Sequence, residues 1–177
     1  DSRLWLGGAV AEKRDSDLIR DVVRQMRRCL VHPRVLVCVD GLASYVTQFR
    51  SVFQEQVQLG IRGRPRLQLP AGFLLGHVIK SRAKNRVQEV VRRAVIGTLA
   101  EIQARLERTK TGHVIHTAYI ERLNATFRSR LATLVRRGRS LARRVETLQS
   151  GMFLVGTVYN FCSWHDGLRQ ETRPGQP

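Results

Sequence analysis

Val35-Leu36-Val37-Cys38-Val39-Asp40-Gly41 is an uninterrupted apolar run of strand length that ends in an acid and a glycine. A run without polar alternation marks a central strand covered on both faces, so an α/β fold is expected. Pro33 closes the segment before it, and Leu42, Tyr45, Val46, Phe49 and Phe53 follow it at helical spacing. The unit reads strand, acid, helix. Asp40 then sits at the carboxyl end of a buried strand, where open α/β sheets place ligands. The plainer alternative is a helix N-cap or an Asp-Gly turn.

Upstream, Asp15 and Asp17 precede Leu18, Ile19, Val22, Val23, Met26, Cys29 and Leu30. These form an amphipathic helix with acids at its positive end and Arg27 and Arg28 near its negative end. Leu4, Trp5 and Leu6, then Ala9 and Val10 after a Gly pair, predict two short strands or a hairpin. Downstream, Gly60 to Arg66, with Pro65, reads as an exposed connection. Strands are expected around 73 to 80 and 87 to 96, broken at Gly97, although Val87, Val90, Val91, Ala94 and Val95 satisfy a helical spacing too. Leu99, Ile102 and Leu106 predict a short helix ending near Lys110 to Gly112. A last, strongly apolar helix through Leu148, Met152, Phe153, Val155, Val158, Tyr159 and Cys162 is expected to pack on the sheet. One domain over 1–170 and a flexible tail over 171–177 complete the expected organisation.

The 177 residues, 42% of them hydrophobic, suffice for one domain with a sizeable core. Against 14 Asp+Glu stand 31 Lys+Arg, a net charge of +17, so the chain repels itself unless a polyanion neutralises it. Nucleic acid is the leading partner. An anionic membrane ranks well below it, because no run approaches the roughly 18 apolar residues of a spanning helix and the basic residues lie on several segments. Cys29, Cys38 and Cys162 lack C-x-x-C spacing and read as small core residues of a reduced, cytoplasmic protein, not as a zinc site. No P-loop is present, so no nucleotide cofactor is expected.

His116-Thr117-Ala118-Tyr119-Ile120-Glu121-Arg122-Leu123-Asn124 carries an acid on a helix otherwise dominated by arginine. Ile120, Leu123, Phe127, Leu131 and Leu134 predict its buried face, with Thr117 as N-cap. Glu121, Asn124 and Arg128 fall on a more polar face, and a carboxylate, an amide and a guanidinium in one row suit a metal ion and a phosphate backbone. A solvated helix face is the plainer alternative. Beyond it, Arg136, Arg137, Arg139, Arg143 and Arg144 form a basic block fit for phosphate contact independent of base sequence. His113 and His116 are three apart but lack a third nitrogen or sulfur ligand nearby, which favours loop and cap roles.

The blocks Thr117-Ala-Tyr-Ile-Glu-Arg-Leu-Asn-Ala-Thr-Phe-Arg, Leu-Val-Arg-Arg-Gly-Arg, Tyr159-Asn-Phe-Cys and His165-Asp-Gly-Leu-Arg together resemble the C-terminal half of DDE-type insertion-sequence transposases. Val39-Asp40-Gly41-Leu42 with Tyr45 resembles the strand bearing that family's second catalytic aspartate, and Asp-Ser-Arg-Leu-Trp-Leu resembles its second strand. The resemblance covers nearly the whole chain and implies a ribonuclease-H-like fold, a mixed sheet flanked by helices, incomplete at the N-terminus. It implies Asp40 and Glu121 as catalytic and metal-binding acids for Mg2+ or Mn2+, with Arg122, Asn124 and Arg128 positioning the DNA end or the acids. It further implies double-stranded DNA as substrate, both transposon ends and target, and a homo-oligomer. The family's first aspartate lies before the stretch that Asp1 to Gly8 resembles, so the chain is expected to start inside a longer protein. Two carboxylates leave a metal pair underligated, and weak or no strand transfer is expected. The competing function is a non-catalytic DNA-binding remnant or regulator of transposition.

Overall fold

Local chemistry sets the element boundaries. Helix α1, Ser16–Arg28, starts where the Asp15 carboxylate accepts from the backbone N–H groups of Asp17 and Leu18, and its last turn carries Arg27 and Arg28. Strand β1, Leu36–Asp40, and helix α2, Ala43–Phe53, follow as the apolar patterns predict. Two three-residue strands, β2 (Glu55–Val57) and β3 (Arg66–Gln68), pair antiparallel in a small ribbon that the pattern did not announce. Strands β4, Leu74–Ala83, and β5, Arg86–Ile96, are longer than expected. Gly97 turns β5 into helix α3, Leu99–Arg108: its φ of 82° and the approach of Leu74 Cδ2 to the position of a β-carbon both require glycine. Thr98 and Glu101 then form a capping box, and the resulting hydrogen bonds hold the Glu101 carboxyl below its ordinary pKa. Helix α4, Ala118–Arg130, and helix α5, Val145–Cys162, complete the chain, with 3-10 turns at Ala132–Leu134 and Asp166–Leu168. This computed structural model describes residues 3–13, 15–58, 60, 65–84, 86–109, 112–135, 139–140 and 142–168.

The fold is mixed α/β. Its main sheet has the order β1-β4-β5, with β1 parallel to β4 and β5 antiparallel to β4. One face carries a core of Ile19 and Val23 from α1, Val37 from β1, Phe49 and Phe53 from α2, and Phe73 and Leu75 leading into and along β4. Leu74 and Val78, on the opposite face of β4, pack with Ile102 and Leu106 of α3 and with Ile115. Phe53 and Leu75 have no exposed surface at all, which makes the first face the better sealed one.

Several expectations are corrected. Among the described residues β1 is an edge strand, pairing with β4 alone, although its apolar run suits a central position. The segment around Leu4 to Val10 forms no strand, because side-chain amides of α5 satisfy its backbone. Asn160 accepts from Trp5 N and donates to Trp5 O, both at 2.8 Å, and Gln149 accepts from Val10 N and donates to Gly8 O. Helix α5 therefore packs on this segment and on α4, and contributes to neither face of the sheet core. Of the apolar residues expected to be buried along α4 only Phe127 is, against the Trp5 ring at 5.5 Å. Cys29 and Cys162 are exposed and only Cys38 is half-buried, where desolvation pushes its thiol pKa up. The expected tail over 171–177 lies outside the described residues. No described helix is long and apolar enough to cross a membrane.

Two outcomes follow from this packing. A β-carbon on Gly156 would stand 2.0 Å from the Trp5 ring, so Gly156→Ala is expected to cost about 1–3 kcal/mol of stability in urea unfolding. His77 on β4 is 2% exposed, with neither ring nitrogen hydrogen-bonded among the described residues. Burial pushes its pKa down, Arg93 across the strand pair adds to this, and Asp40 opposes it. The neutral ring is thus the folded form. Its contribution is present above the unfolded value of about 6.5 and is lost as pH falls through that value toward the lower folded one. The urea midpoint should fall between about pH 7.5 and pH 5.5, and His77→Gln should flatten that fall.

Candidate active site and nucleic-acid surface

Asp40 is placed by β1 and by the turn after it. Leu36 and Cys38 pack on the α3 side of the sheet, so strand alternation carries Asp40 onto that side, at the C-terminal end of the strand. It is exposed, and its Oδ1 accepts from Leu42 N at 3.3 Å, an Asx-type turn. The plain turn role is therefore present, and it leaves the second oxygen outside that bond. Gly41 lets the chain pass Ile79, whose side chain a β-carbon would meet at 2.8 Å.

Glu121 is placed by a different chain of contacts. Gly76 of β4 has no side chain, and Ile115 lies in the space, 3.0 Å from where a β-carbon would be. Arg92 Nε of β5 donates to Ile115 O at 2.8 Å and pins the same strap to the sheet. Two residues on, the buried Thr117 begins α4, but its hydroxyl does not cap the helix. It donates instead to Glu121 Oε1 at 2.8 Å.

Lys80 ties Glu121 to the strand that pairs with β1. Asp40 is in register with Val78, and Lys80, two residues further along β4, shares the face of Val78. Its ammonium donates to Glu121 Oε1 at 2.5 Å. Both acids thus lie on the α3 side of the sheet, at the end where β1 stops. The Lys80 side chain is 29% exposed and that of Glu121 56%, and such a pair is worth about 1 kcal/mol or less. A stronger cation could displace it.

The row beyond Glu121 is exposed as expected. Asn124 and Arg128 line a groove of about 280 Å³ with Trp5, Phe127 and Met152, between α4, α5 and the N-terminal segment. Arg122 is exposed without lining that groove. Arg139, Arg143 and Arg144 are exposed before α5, and Arg144 is its N-cap residue. Arg136 and Arg137 lie outside the described residues. A second cavity, of about 420 Å³ and mostly apolar, lies beside the start of α4 and takes in Cys38, Arg105, His116 and Thr117 but neither acid.

Lys80 escaped the sequence reading. Its signal was the alternation Leu74, Gly76, Val78, Lys80, which puts it on one face of a strand, but only the placement of α4 over that strand reveals Glu121 as its partner. No protein-family model matches the chain, and no curated protein or solved structure matches it.

The local geometry predicts a modest, measurable coupling. In a double-mutant cycle of Lys80→Met and Glu121→Gln, urea unfolding should give an interaction energy of about 0.2–1 kcal/mol that shrinks with added salt.

Proposed function

We propose that the chain is the metal-dependent phosphoryl-transfer part of a DNA-processing enzyme, and the single observation that carries this is the placement of Asp40 and of Glu121, the latter held by Lys80, on one side of the sheet. Two exposed carboxylates match a single Mg2+, which takes one or two carboxylates and completes its shell with phosphate oxygens and water. They do not match a pair of ions, and the described residues contain no group of three or more His, Cys, Asp or Glu that could hold a metal. Lewis-acid polarisation of a phosphodiester is the chemistry such an ion supplies when bound.

The chain's own residues have separable roles in this reading. Asp40 and Glu121 hold the cation. Lys80, released from Glu121, offers its ammonium to a phosphate oxygen as a point charge. Arg128 in the groove, with Arg122, Arg139, Arg143 and Arg144 outside it, neutralises the backbone of double-stranded DNA, while the Asn124 amide donates to a phosphate oxygen, and together they orient the duplex without reading bases. Within this class, the Ile120-Glu121-Arg122-Leu123-Asn124 block and its companions favour a DDE-type insertion-sequence transposase with a ribonuclease-H-like domain. Among the described residues β1 pairs with β4 alone.

A second reading has its own support. Glu121 already accepts from Lys80 and Thr117, which suits a DNA-binding remnant whose acids are structural. Mn2+ titration by calorimetry separates the two. Binding in the parent chain that disappears in both Asp40→Ala and Glu121→Ala, and tightens in Lys80→Met at low salt, is the result expected of one shared site. DNA affinity should stay intact or rise in the two acid variants. Absence of Mn2+ binding, with salt-sensitive DNA affinity retained, would leave the remnant as the function.

A further inference from the structure

Helix α5 uses one side fully and leaves the other bare. Val155 and Gly156 are buried, Gly156 against the Trp5 ring, Phe153 packs edge-on to the same ring at 5.1 Å, and Gln149 and Asn160 grip the N-terminal segment. On the opposite side Thr147, Ser150, Leu154, Val158 and Phe161 recur at helical spacing, all exposed, and Trp164 follows just past the helix end. Leu154 is 67% exposed, Phe161 82% and Trp164 83%. With roughly 150–250 Å² available on each aromatic side chain, the strip with Trp164 and the neighbouring Leu168 exposes on the order of 600 Å². That reaches the upper end of the roughly 300–600 Å² patch that a soluble monomer leaves open, and approaches the roughly 800 Å² per partner of a standard interface.

Charge selects the occupant. A second copy of a chain with net charge +17 is repelled by a basic surface, yet α5 has only Glu146 as a charged residue and the strip has none. The strip is also complementary to itself when reversed, because its N-terminal half is small and its C-terminal half is bulky. A two-fold axis at residue 156 sets Leu154 against Val158 of the other copy, and Phe161 against Ser150 and Gly151. The same operation brings the exposed Arg143 and Arg144 of one copy to the C-terminal end of the other α5, with its partial negative charge and the exposed Asp166.

We propose that the protein self-associates through the outer face of α5, as an antiparallel pair of helices about a two-fold axis. An interface that uses the same patch on both subunits closes at two copies. The dimer rests on this exposed face and is independent of the catalytic reading.

Sedimentation equilibrium of the full, nuclease-treated chain tests it. In about 1 M NaCl, where the Debye length is about 3 Å, neither repulsion between arginines nor residual nucleic acid decides the outcome. The parent chain should sediment at twice its 20.2 kDa. Leu154→Asp and Phe161→Asp should each weaken the dimer by about 100-fold or more while keeping the parental circular dichroism, since both side chains are exposed. If a charged variant fails to fold, Phe161→Ala takes its place with the same expected direction. Val114→Asp, on another exposed surface, should leave the dimer unchanged. A parent chain that stays monomeric throughout the micromolar range overturns the proposal, as does a dimer indifferent to substitutions at both Leu154 and Phe161.

Discussion

Burial of β4 on both faces is the constraint on which the rest of the structure depends. Leu75 has no exposed surface in the core shared with α1 and α2, while Leu74 and Val78 face α3 and Ile115. A strand sealed on both sides cannot slip in register by one residue without exchanging its two apolar sets between different partners. That rigidity is inherited by everything attached to it: the parallel pairing that positions Asp40, the gap at Gly76 that seats Ile115, and the outer turn where Lys80 meets Glu121. The candidate site is thus built at the end of the most constrained element, where the sheet leaves its cores and reaches solvent.

Excess positive charge shapes the surface around that frame. The acids are few, and those seen in contacts mostly meet a cation or a backbone donor: Asp15 at the head of α1, Glu55 with Arg27, Glu101 in its capping box, and Glu121 with Lys80. The exposed arginines on α4 and before α5 greatly outnumber the acids beside them, and exposed like charges favour a polyanion over solvent because binding releases condensed counterions. Glu121 has to exist within that field. An ammonium neighbour offsets the carboxylate when no cation is present, and because the pair is exposed it holds the acid only weakly.

Much of the secondary structure was legible. The helical spacing in α1, α2 and α3, the apolar run of β1, and the two strands β4 and β5 were readable because each depends on residues near one another in the chain. The misplaced elements share another origin. Leu4 to Val10 has strand composition, but its backbone partners are amides at Gln149 and Asn160, some 140 to 155 residues away. Cys29 and Cys162 sit in apolar surroundings along the chain yet face outward, since helix composition says which residues are apolar and not which neighbour arrives to cover them. The same limit applied to α4, whose apolar stripe was clear while the Trp5 contact that buries only Phe127 was not.

By itself the sequence determined an α/β chain with a strongly basic surface, an acid at the end of a buried-type strand and a second acid on an arginine-rich helix, because composition, alternation and helical period act over short separations. Tertiary structure alone decided that both acids face one side of the sheet, that Lys80 bridges to Glu121, that β1 is an edge among the described residues, and that α5 turns an uncharged apolar face to solvent. Each of these depends on strand register or on the packing of a distant element, and the free energy that selects such an arrangement resides in contacts between residues that no local pattern relates.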